Sequence, residues 1–326
     1  MRKRRLGKTD IDVSELVFGG GYVGGLLLHQ DDETKRSAIR RALDAGINFI
    51  DTAPSYGDGD SERALGWLLK EVEDTPNVST KVKIDPKTRD DLIGQIESSI
   101  HDSLSRLQRD SVDLLQLHNP LGTEDNGEIL AVENLFGKQG IIEGLNKFRS
   151  EGLTRYIGFT ALGETEPCRT AIRSDAFDTA QIYFNLLNPS AGRDMPANWV
   201  GQNFSGLIGT CKQHNVGVMC IRVFAAGILA TSARTGREVP ITSERDLSLE
   251  QLRADAIFTA LSEENYSQAQ TAIRFALANK DISCVLAGVA NLAELDEAIE
   301  GALSGSLPES KLFDVERVYD LNFGLK

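Results

Sequence analysis

The chain has 326 residues, and its 48 acidic residues outnumber its 35 Lys and Arg, which gives a formal charge of −13 and a pI of about 4.9. A surface of this sign repels phosphate backbones, so nucleic acid is not an expected partner. With 41% hydrophobic and 25% charged residues, the composition is typical of a globular chain with a large core and excludes disorder.

The sequence carries no pattern for export or membrane insertion. The basic start, MRKRRLGKTD, is not followed by the apolar segment of a signal peptide, and no run approaches the length of apolar residues that spans a bilayer. The four cysteines, at positions 168, 211, 220 and 284, form no CxxC pair. We therefore expect a cytoplasmic protein with reduced thiols and no contact with a membrane.

The predicted elements begin with a hairpin over 2–13, turning at Lys8-Thr9-Asp10. Eight runs rich in Val, Ile, Leu and Phe then predict strands at 16–18, 48–50, 78–81, 113–117, 156–159, 179–183, 216–221 and 283–287. Apolar residues at three- and four-residue spacing predict helices at 32–45, 89–107, 141–151, 203–214 and 267–279. Glycines at 46 and 152 are expected to end helices, and Thr165 and Ser267 to cap the helices that they precede.

A strand followed by a helix, repeated eight times, predicts parallel strands that close into one (β/α)8 TIM barrel over 1–326, with the hairpin plugging its bottom. The rival is a doubly wound dinucleotide-binding domain. Its G-x-G-x-x-G turn is only loosely matched by FGGGYVGG at 18–25, and the expected acidic end of a second strand falls in a helical segment. Long connections at 119–140, 186–202 and 227–250 follow strand ends and are candidate pocket walls.

Four side chains with proton chemistry follow neighbouring predicted strands. Asp51, Lys81 and His118 stand where the second, third and fourth strands end, and Tyr56 lies five residues beyond Asp51. Taken singly, each residue also has a purely structural interpretation. Asp51 could cap the next helix, Lys81 could be a solvated loop residue, His118 a buried core residue and Tyr56 a packing residue. Together they predict a proton-transfer site: Asp51 aims Lys81, whose ammonium stabilises the phenolate form of Tyr56. Tyr56 then protonates a substrate carbonyl oxygen that His118 orients, as hydride arrives at carbon.

The sequence around these residues resembles the aldo-keto reductase superfamily. GINFIDTAPSYG at 46–57 and SERALG at 61–66 are similar to the family signature, TKV at 80–82 to its lysine strand and VDLLQLH at 112–118 to its histidine strand. Later likenesses at 157–160, 181–188 and 218–222 extend it over nearly the whole chain. The resemblance implies a barrel that binds NADP(H) or NAD(H) across its C-terminal mouth and reduces aldehydes or ketones, with Asp51, Tyr56, Lys81 and His118 as its catalytic residues.

The resemblance also implies a set of cofactor-binding positions. Thr160 and Gln181 match the groups that hold the nicotinamide carboxamide, although the family often has Ser-Asn where this chain has Thr160-Ala161. Two further pairs of positions lie near the nicotinamide: Gly20 and Tyr22 follow the first strand, and Ile221 and Arg222 stand where an aromatic ring commonly stacks on the nicotinamide. Phe224 and Gly227 match the pyrophosphate site, and Gly288, Glu294 and Glu297 match the 2′-phosphate site. Glu294 stands where a basic residue is frequent, which favours NADH or weak discrimination. The helix starting near Leu292 still offers its amides to an anion.

Other interpretations stay open beside this one. A metal-dependent hydrolase needs several convergent ligands, but of the four histidines His29, His101 and His214 lie apart from His118, and no metal site is expected. A cofactor-binding regulatory barrel with vestigial turnover and an NAD-dependent aldose 1-dehydrogenase remain alternatives. The expected ligand is a small carbonyl or sugar, and the oligomeric state is left open. Trp199, Phe204 and Phe136 either line an apolar pocket or pack within loops.

Overall fold

Eight parallel strands form the centre of the protein, whose computed structural model describes residues 1–199, 201–231, 247–261 and 265–324, with the side chains at 89 and 90 left aside. The barrel strands are β3 (Leu16–Gly19), β4 (Phe49–Asp51), β5 (Asn77–Val82), β6 (Val112–Leu117), β9 (Thr154–Ala161), β10 (Thr179–Tyr183), β11 (Gly217–Ile221) and β12 (Cys284–Gly288). The strands close into a barrel in the order β10-β11-β12-β3-β4-β5-β6-β9, and β1 (Lys3–Arg5), β2 (Asp12–Ser14), β7 (Leu121–Gly122) and β8 (Leu130–Ala131) lie outside it. Each barrel strand coincides with a predicted strand to within two residues at either end, so the predicted (β/α)8 barrel is confirmed.

The predicted N-terminal hairpin is also present, as antiparallel strands β1 (Lys3–Arg5) and β2 (Asp12–Ser14). Its buried Leu6, Ile11 and Val13 pack in one cluster with barrel residues that include Phe49 and Leu114. This apolar cluster covers the end of the barrel opposite the carboxyl ends of the strands. Two short parallel strands, β7 (Leu121–Gly122) and β8 (Leu130–Ala131), lie in the connection that follows β6.

Helices lie around the barrel and contribute apolar residues to the core. They are α1 (Leu26–His29), α2 (Asp32–Asp44), α3 (Asp60–Leu68), α4 (Leu92–Leu107), α5 (Ile141–Ser150), α6 (Thr165–Arg173), α7 (Leu207–Gln213), α8 (Leu247–Leu261), α9 (Gln268–Ala278), α10 (Leu292–Leu303) and α11 (Glu309–Asp320). Short 3-10 turns occupy Pro86–Asp91, Val132–Leu135, Ala225–Gly227 and Asn322–Gly324. No helix of the described ranges is both long enough and apolar enough to cross a membrane.

The helix ends test the predicted caps. Ser267 caps α9, its hydroxyl accepting the Gln270 N–H at 3.1 Å in a capping box, and Gly46 and Gly152 follow helices with φ of 85° and 80°. Thr165 was wrongly predicted as a cap: it is the first residue of α6, and its hydroxyl donates to the carbonyl of Asn203 at 2.6 Å.

Two helices are shorter than the ranges that the spacing of their apolar residues predicts. The helix predicted at 89–107 begins at Leu92, because the preceding residues form a 3-10 turn and Asp91 accepts the Gly94 N–H at 2.9 Å as the cap. The helix predicted at 203–214 covers only Leu207–Gln213. Of the predicted connection at 227–250, residues 232–246 lie outside the described residues, and α8 begins at Leu247.

Candidate active site

The carboxyl ends of β4, β5 and β6 bring three of the predicted catalytic residues to one mouth of the barrel. Asp51 ends β4, Lys81 is the penultimate residue of β5, and His118 follows β6 directly. The strands are parallel and in register, with Asp51 opposite Ser79 on β5. Because parallel strands end at the same edge, these side chains are neighbours although they are far apart in sequence.

Lys81 is the fully buried centre of the site. Its Nζ donates to Asp51 Oδ2 at 2.6 Å, to the carbonyl of Thr52 at 2.9 Å and to Tyr56 Oη at 3.2 Å. An ammonium has three N–H donors, so each has an acceptor. Burial alone would lower the pKa of Lys81, but the attraction of Asp51 and Tyr56, together with the hydrogen bonds that both accept, outweighs burial and raises the pKa above its ordinary value. Lys81 is therefore a charged group beside the hydroxyl of Tyr56.

Asp51 binds Lys81 through one carboxylate oxygen and uses the other for neutral donors. Its Oδ1 accepts from Ser79 Oγ at 2.6 Å, Gln181 Nε2 at 2.8 Å and Gln116 Nε2 at 3.1 Å. These donors come from β5, β10 and β6, so three strands fix the carboxylate. The position of Asp51 and the direction of its Oδ2 towards Lys81 are thus built into the barrel wall.

Tyr56 and His118 face each other above this ion pair. Their rings meet edge to face, with centroids 5.9 Å apart. Burial, together with the positive charges of Lys81 and Lys83, lowers the pKa of His118 to about 3. The imidazole is therefore neutral at physiological pH and carries one N–H. This group can donate a hydrogen bond to a substrate oxygen without placing a full positive charge beside it.

A cavity of about 720 Å³ opens over Tyr56 and His118. Most of the predicted site residues line it: Asp51, Tyr56, His118, Tyr22, Thr160, Gln181, Ile221, Arg222, Phe224, Gly227, Gly288, Glu294 and Glu297. Lys81 and Gly20 do not. Lys81 lies beneath the floor, and Gly20 is buried behind the wall, where its N–H donates to the carbonyl of Asp51 at 2.8 Å.

The cavity wall offers polar groups that suit a bound cofactor. Thr160 Oγ1 is buried and has no hydrogen-bond partner among the described residues, and Gln181 stands opposite it in the β9–β10 register. A buried hydroxyl without a partner is costly unless a ligand supplies one. After β11 the backbone turns sharply, with positive φ at Arg222, Ala225 and Gly227. Both features fit the carboxamide and pyrophosphate positions that were predicted for these segments.

At the far end of the cavity, Glu294 is exposed and folded back onto the start of α10. Its Oε2 accepts the Ala290 N–H at 2.7 Å, and its Oε1 accepts from Asn291 Nδ2 at 3.0 Å. Asn291 in turn caps the helix by accepting the Glu294 N–H at 3.0 Å. The carboxylate therefore occupies part of the helix N-terminus, which would otherwise attract an anion, and Glu297 adds a second acidic side chain one turn on.

The residue-by-residue prediction missed several parts of this site. Gln116 and Ser79, which fix Asp51, carry no motif beyond being polar within apolar strands. The cavity wall also includes residues that were not predicted, such as Gly24, Leu162, Val223, Thr231 and Val289. Gly24 and Val289 come together through tertiary packing, since a Cβ placed on Gly24 would lie 2.3 Å from the Val289 nitrogen.

The remaining predicted side chains lie away from the cavity. Phe204 is buried and stacks on Tyr183 with centroids 5.5 Å apart, Trp199 packs against Phe323, and Phe136 is 41% exposed. Loop packing is therefore the better interpretation of Phe204 and Trp199, whereas Phe136 lies at the surface and does not line the cavity. In the described ranges, no group of three or more His, Cys, Asp or Glu side chains is arranged to hold a metal ion.

Comparison with known proteins identifies the family of the chain. A family model described as the aldo/keto reductase family matches residues 15–320. The L-galactose dehydrogenase of Arabidopsis thaliana is 27% identical over 330 residues, covering 97% of this chain and 94% of that protein. The D-threo-aldose 1-dehydrogenase of Pseudomonas sp is 30% identical over 255 residues, covering 69% of this chain and 70% of that protein.

A solved structure shares the fold. The holo form of the aldo-keto reductase AKR11C1 from Bacillus halodurans superposes with a TM-score of 0.76 at 22% identity, covering 98% of this chain and 96% of that chain. The family model spans nearly the whole chain, as the resemblance in the sequence predicted. The chain therefore belongs to the aldo/keto reductase family of oxidoreductases, which use nicotinamide cofactors.

Proposed function

We propose that the protein catalyses reversible hydride transfer between a nicotinamide cofactor and the carbon of a carbonyl or carbinol group, with Tyr56 moving the proton at oxygen. The observation that carries the proposal is the three-way contact of Lys81. One buried ammonium joins the carboxylate of Asp51 to the hydroxyl of Tyr56, directly below the cavity. An arrangement of this kind stabilises a phenolate, which lets a tyrosine act as acid or base near neutral pH.

Each residue of the tetrad has a distinct part in this scheme. In reduction, the Tyr56 hydroxyl gives its proton to the developing alkoxide, and Lys81 stabilises the phenolate that remains. Asp51 keeps Lys81 charged and aimed, while the neutral His118 donates a hydrogen bond that orients the substrate oxygen. In oxidation, the Tyr56 phenolate removes the proton from the substrate hydroxyl.

The cofactor would lie along the cavity, where its nicotinamide supplies or accepts the hydride. Thr160 and Gln181 would hold the carboxamide, and the backbone around Phe224 and Gly227 would meet the pyrophosphate. The partnerless hydroxyl of Thr160 supports this placement. Glu294 supports a preference for NADH, or weak discrimination, because its carboxylate repels a 2′-phosphate and already occupies the Ala290 amide.

A second candidate is the NAD-dependent oxidation of an aldose at C1 to a lactone. Two observations favour it: the acidic side chain of Glu294 at the phosphate end, and relatives named L-galactose dehydrogenase and D-threo-aldose 1-dehydrogenase. The same tetrad serves this reaction, since the hemiacetal hydroxyl gives its proton to Tyr56 as hydride leaves C1.

The test is a pair of measurements on the wild type and on Tyr56→Phe. Fluorescence titration with NADH and NADPH measures cofactor binding, and turnover is measured on a panel of aldehydes, ketones and free aldoses. We expect Tyr56→Phe to bind cofactor as the wild type does and to lose about 10²–10⁴-fold in turnover, the usual contribution of a general acid or base.

The outcomes separate the alternatives. Wild-type protein that binds neither cofactor contradicts the proposal, as does a Tyr56→Phe variant with unchanged turnover. Binding without turnover on any member of the panel favours the regulatory barrel. Turnover confined to aldoses with NAD favours the second candidate.

A further inference from the structure

Gln116 is a buried amide that no step of the proposed reaction uses. It lies within β6, two residues before His118, and does not line the cavity. Its Nε2 donates to Asp51 Oδ1 at 3.1 Å, while its Oε1 has no partner among the described residues. Gln116 therefore contacts the tetrad from below and has no access to substrate.

The barrel leaves room for this amide at the position opposite it on β9. Gln116 is in register with Gly158, and a Cβ placed there would come within 3.2 Å of Gln116 Cγ and 2.2 Å of Thr179 Oγ1. The second distance is far shorter than any ordinary contact of a carbon atom, so a side chain at 158 would force its neighbours to move. The glycine keeps the Gln116 side chain in its observed place.

The carbonyl end of this amide is costly to bury. A buried carbonyl oxygen without a partner costs free energy that an apolar side chain would not, and Leu114 occupies the preceding position on the same face of β6. The benefit must come from the other end of the amide, the nitrogen that faces Asp51. Gln181 and Ser79 donate to the same oxygen, but Gln181 also lines the cavity, where a cofactor competes for it.

We propose that Gln116 is a positioning residue that holds Asp51 and limits how strongly this carboxylate attracts the Lys81 ammonium, and so sets the pH at which Tyr56 exchanges its proton. Each neutral donor to Oδ1 takes up part of the negative charge. Without the Gln116 donor, more of that charge acts on Lys81 and Tyr56, and the phenolate becomes harder to form.

Among the described residues, the charged and titratable groups that act on this unit include Lys83 after β5, whose positive charge helps to lower the pKa of His118. Asp51 on β4 and Lys81 on β5 form the ion pair, and His118 after β6 meets the ring of Tyr56. Cys284 on β12 is close enough to feel the charge of Asp51, but burial raises the pKa of its thiol well above the ordinary value, so it stays neutral. A change in the titration of Tyr56 can therefore be assigned to the Asp51–Lys81 pair.

The experiment compares Gln116→Met, which keeps the length but removes the donor, with the wild type. The phenolate titration of Tyr56 is measured by ultraviolet difference absorbance without cofactor, and Tyr56→Phe is subtracted to assign the signal. We expect the midpoint to move to higher pH by about one unit, a shift typical of losing one donor to a charged group. The pH profile of kcat for oxidation should move equally, with the dissociation constant for cofactor unchanged.

Gln181→Met is the contrasting control, because it should move the midpoint and also weaken cofactor binding. If Gln116→Met folds poorly, Gln116→Leu makes the same test in a fully apolar form.

The pH profile of kcat can be measured only if the proposed function is right, so that part of the test rests on it. The phenolate titration of Tyr56 needs neither turnover nor cofactor. A protein that fails to bind cofactor overturns the proposed function and leaves the titration as the test of Gln116. An unchanged midpoint in Gln116→Met and Gln116→Leu overturns the inference. So does a loss of kcat that is uniform at every pH, since a merely structural role predicts that result.

Discussion

The two ends of the cavity hold their charges in different ways. At the tetrad end, Lys81 and Asp51 are almost fully buried, and all three N–H groups of the ammonium have acceptors. At the other end, Glu294 is exposed, and its carboxylate accepts hydrogen bonds from Ala290 and Asn291 at the start of α10. The hydrogen bonds around Lys81 and Asp51 join several strands, whereas those of the Glu294 carboxylate are confined to the start of one helix.

If the proposed function holds, this contrast separates the part of the molecule that would perform the chemistry from the part that would select the cofactor. A change at the buried end leaves a charge without a partner in the barrel interior, which affects stability and turnover together. A change at the exposed end alters a solvated carboxylate, where screening limits the effect to modest changes in affinity. Substitutions at the two ends should therefore differ both in size and in the property that they affect.

The largest effect is expected from Lys81→Met. It leaves the Asp51 carboxylate buried without its cation, so we expect the free energy of unfolding at pH 7 to fall by about 3 kcal/mol or more. Turnover should fall by about 10³-fold, because the phenolate of Tyr56 loses its stabilising charge. Denaturant unfolding and steady-state kinetics measure the two losses.

The double variant Asp51→Asn/Lys81→Met is the matched control for this prediction. With both charges removed, most of the lost stability should return, while turnover stays low. A single Lys81→Met variant as stable as the wild type would contradict the view that the buried pair is tightly matched.

The next effect concerns His118 and the dependence of stability on pH. Its pKa is about 3 in the folded protein, below the ordinary value near 6.5, so the unfolded chain binds more protons between these values. The stability that the neutral imidazole contributes is therefore complete above pH 6.5 and is lost as the pH falls towards 3. We expect the wild type to lose about 1–2 kcal/mol more than His118→Gln between pH 6.5 and 5.

Chemical denaturation of both proteins across this pH range measures the difference. Parallel curves for wild type and His118→Gln would mean that the imidazole titrates normally in the folded protein. The cavity would then present a protonated histidine to the substrate at mildly acidic pH.

The buried end was largely predictable from the sequence, because it depends on rules that act along single strands. Asp51, Lys81 and His118 follow apolar runs, and the carboxyl ends of parallel strands meet at one face. The bonds that fix Asp51 were not predictable, since Gln116 and Gln181 come from strands that are distant in sequence. Only the register of the closed barrel places their amides on one carboxylate oxygen.

At the exposed end of the cavity, around Glu294, the sequence predicted the charge of the side chain but not its conformation. The sequence showed an acidic residue at Glu294, yet its return to the Ala290 amide became clear only in the structure. Asn291 and Glu294 have the spacing of a capping box, a local signal that could have been read. Thr165 is the opposite case, because its hydroxyl bonds to the carbonyl of Asn203, 38 residues away, and no local pattern announces that contact.

The smallest effect is expected at the exposed end, from Glu294→Arg. This substitution removes the repulsive carboxylate, frees the Ala290 amide and adds a guanidinium that can bind a phosphate, so NADPH should bind about tenfold more tightly or better. Fluorescence titration with NADPH and NADH measures the change, and Glu294→Gln serves as the control that removes charge without adding it. NADH affinity and turnover at saturating NADH should hardly change, because the tetrad lies at the other end of the cavity. An unchanged dissociation constant for NADPH would mean that the 2′-phosphate binds elsewhere and that Glu294 has no part in cofactor selection. A large loss of turnover with NADH would contradict the view that the two ends of the cavity act independently.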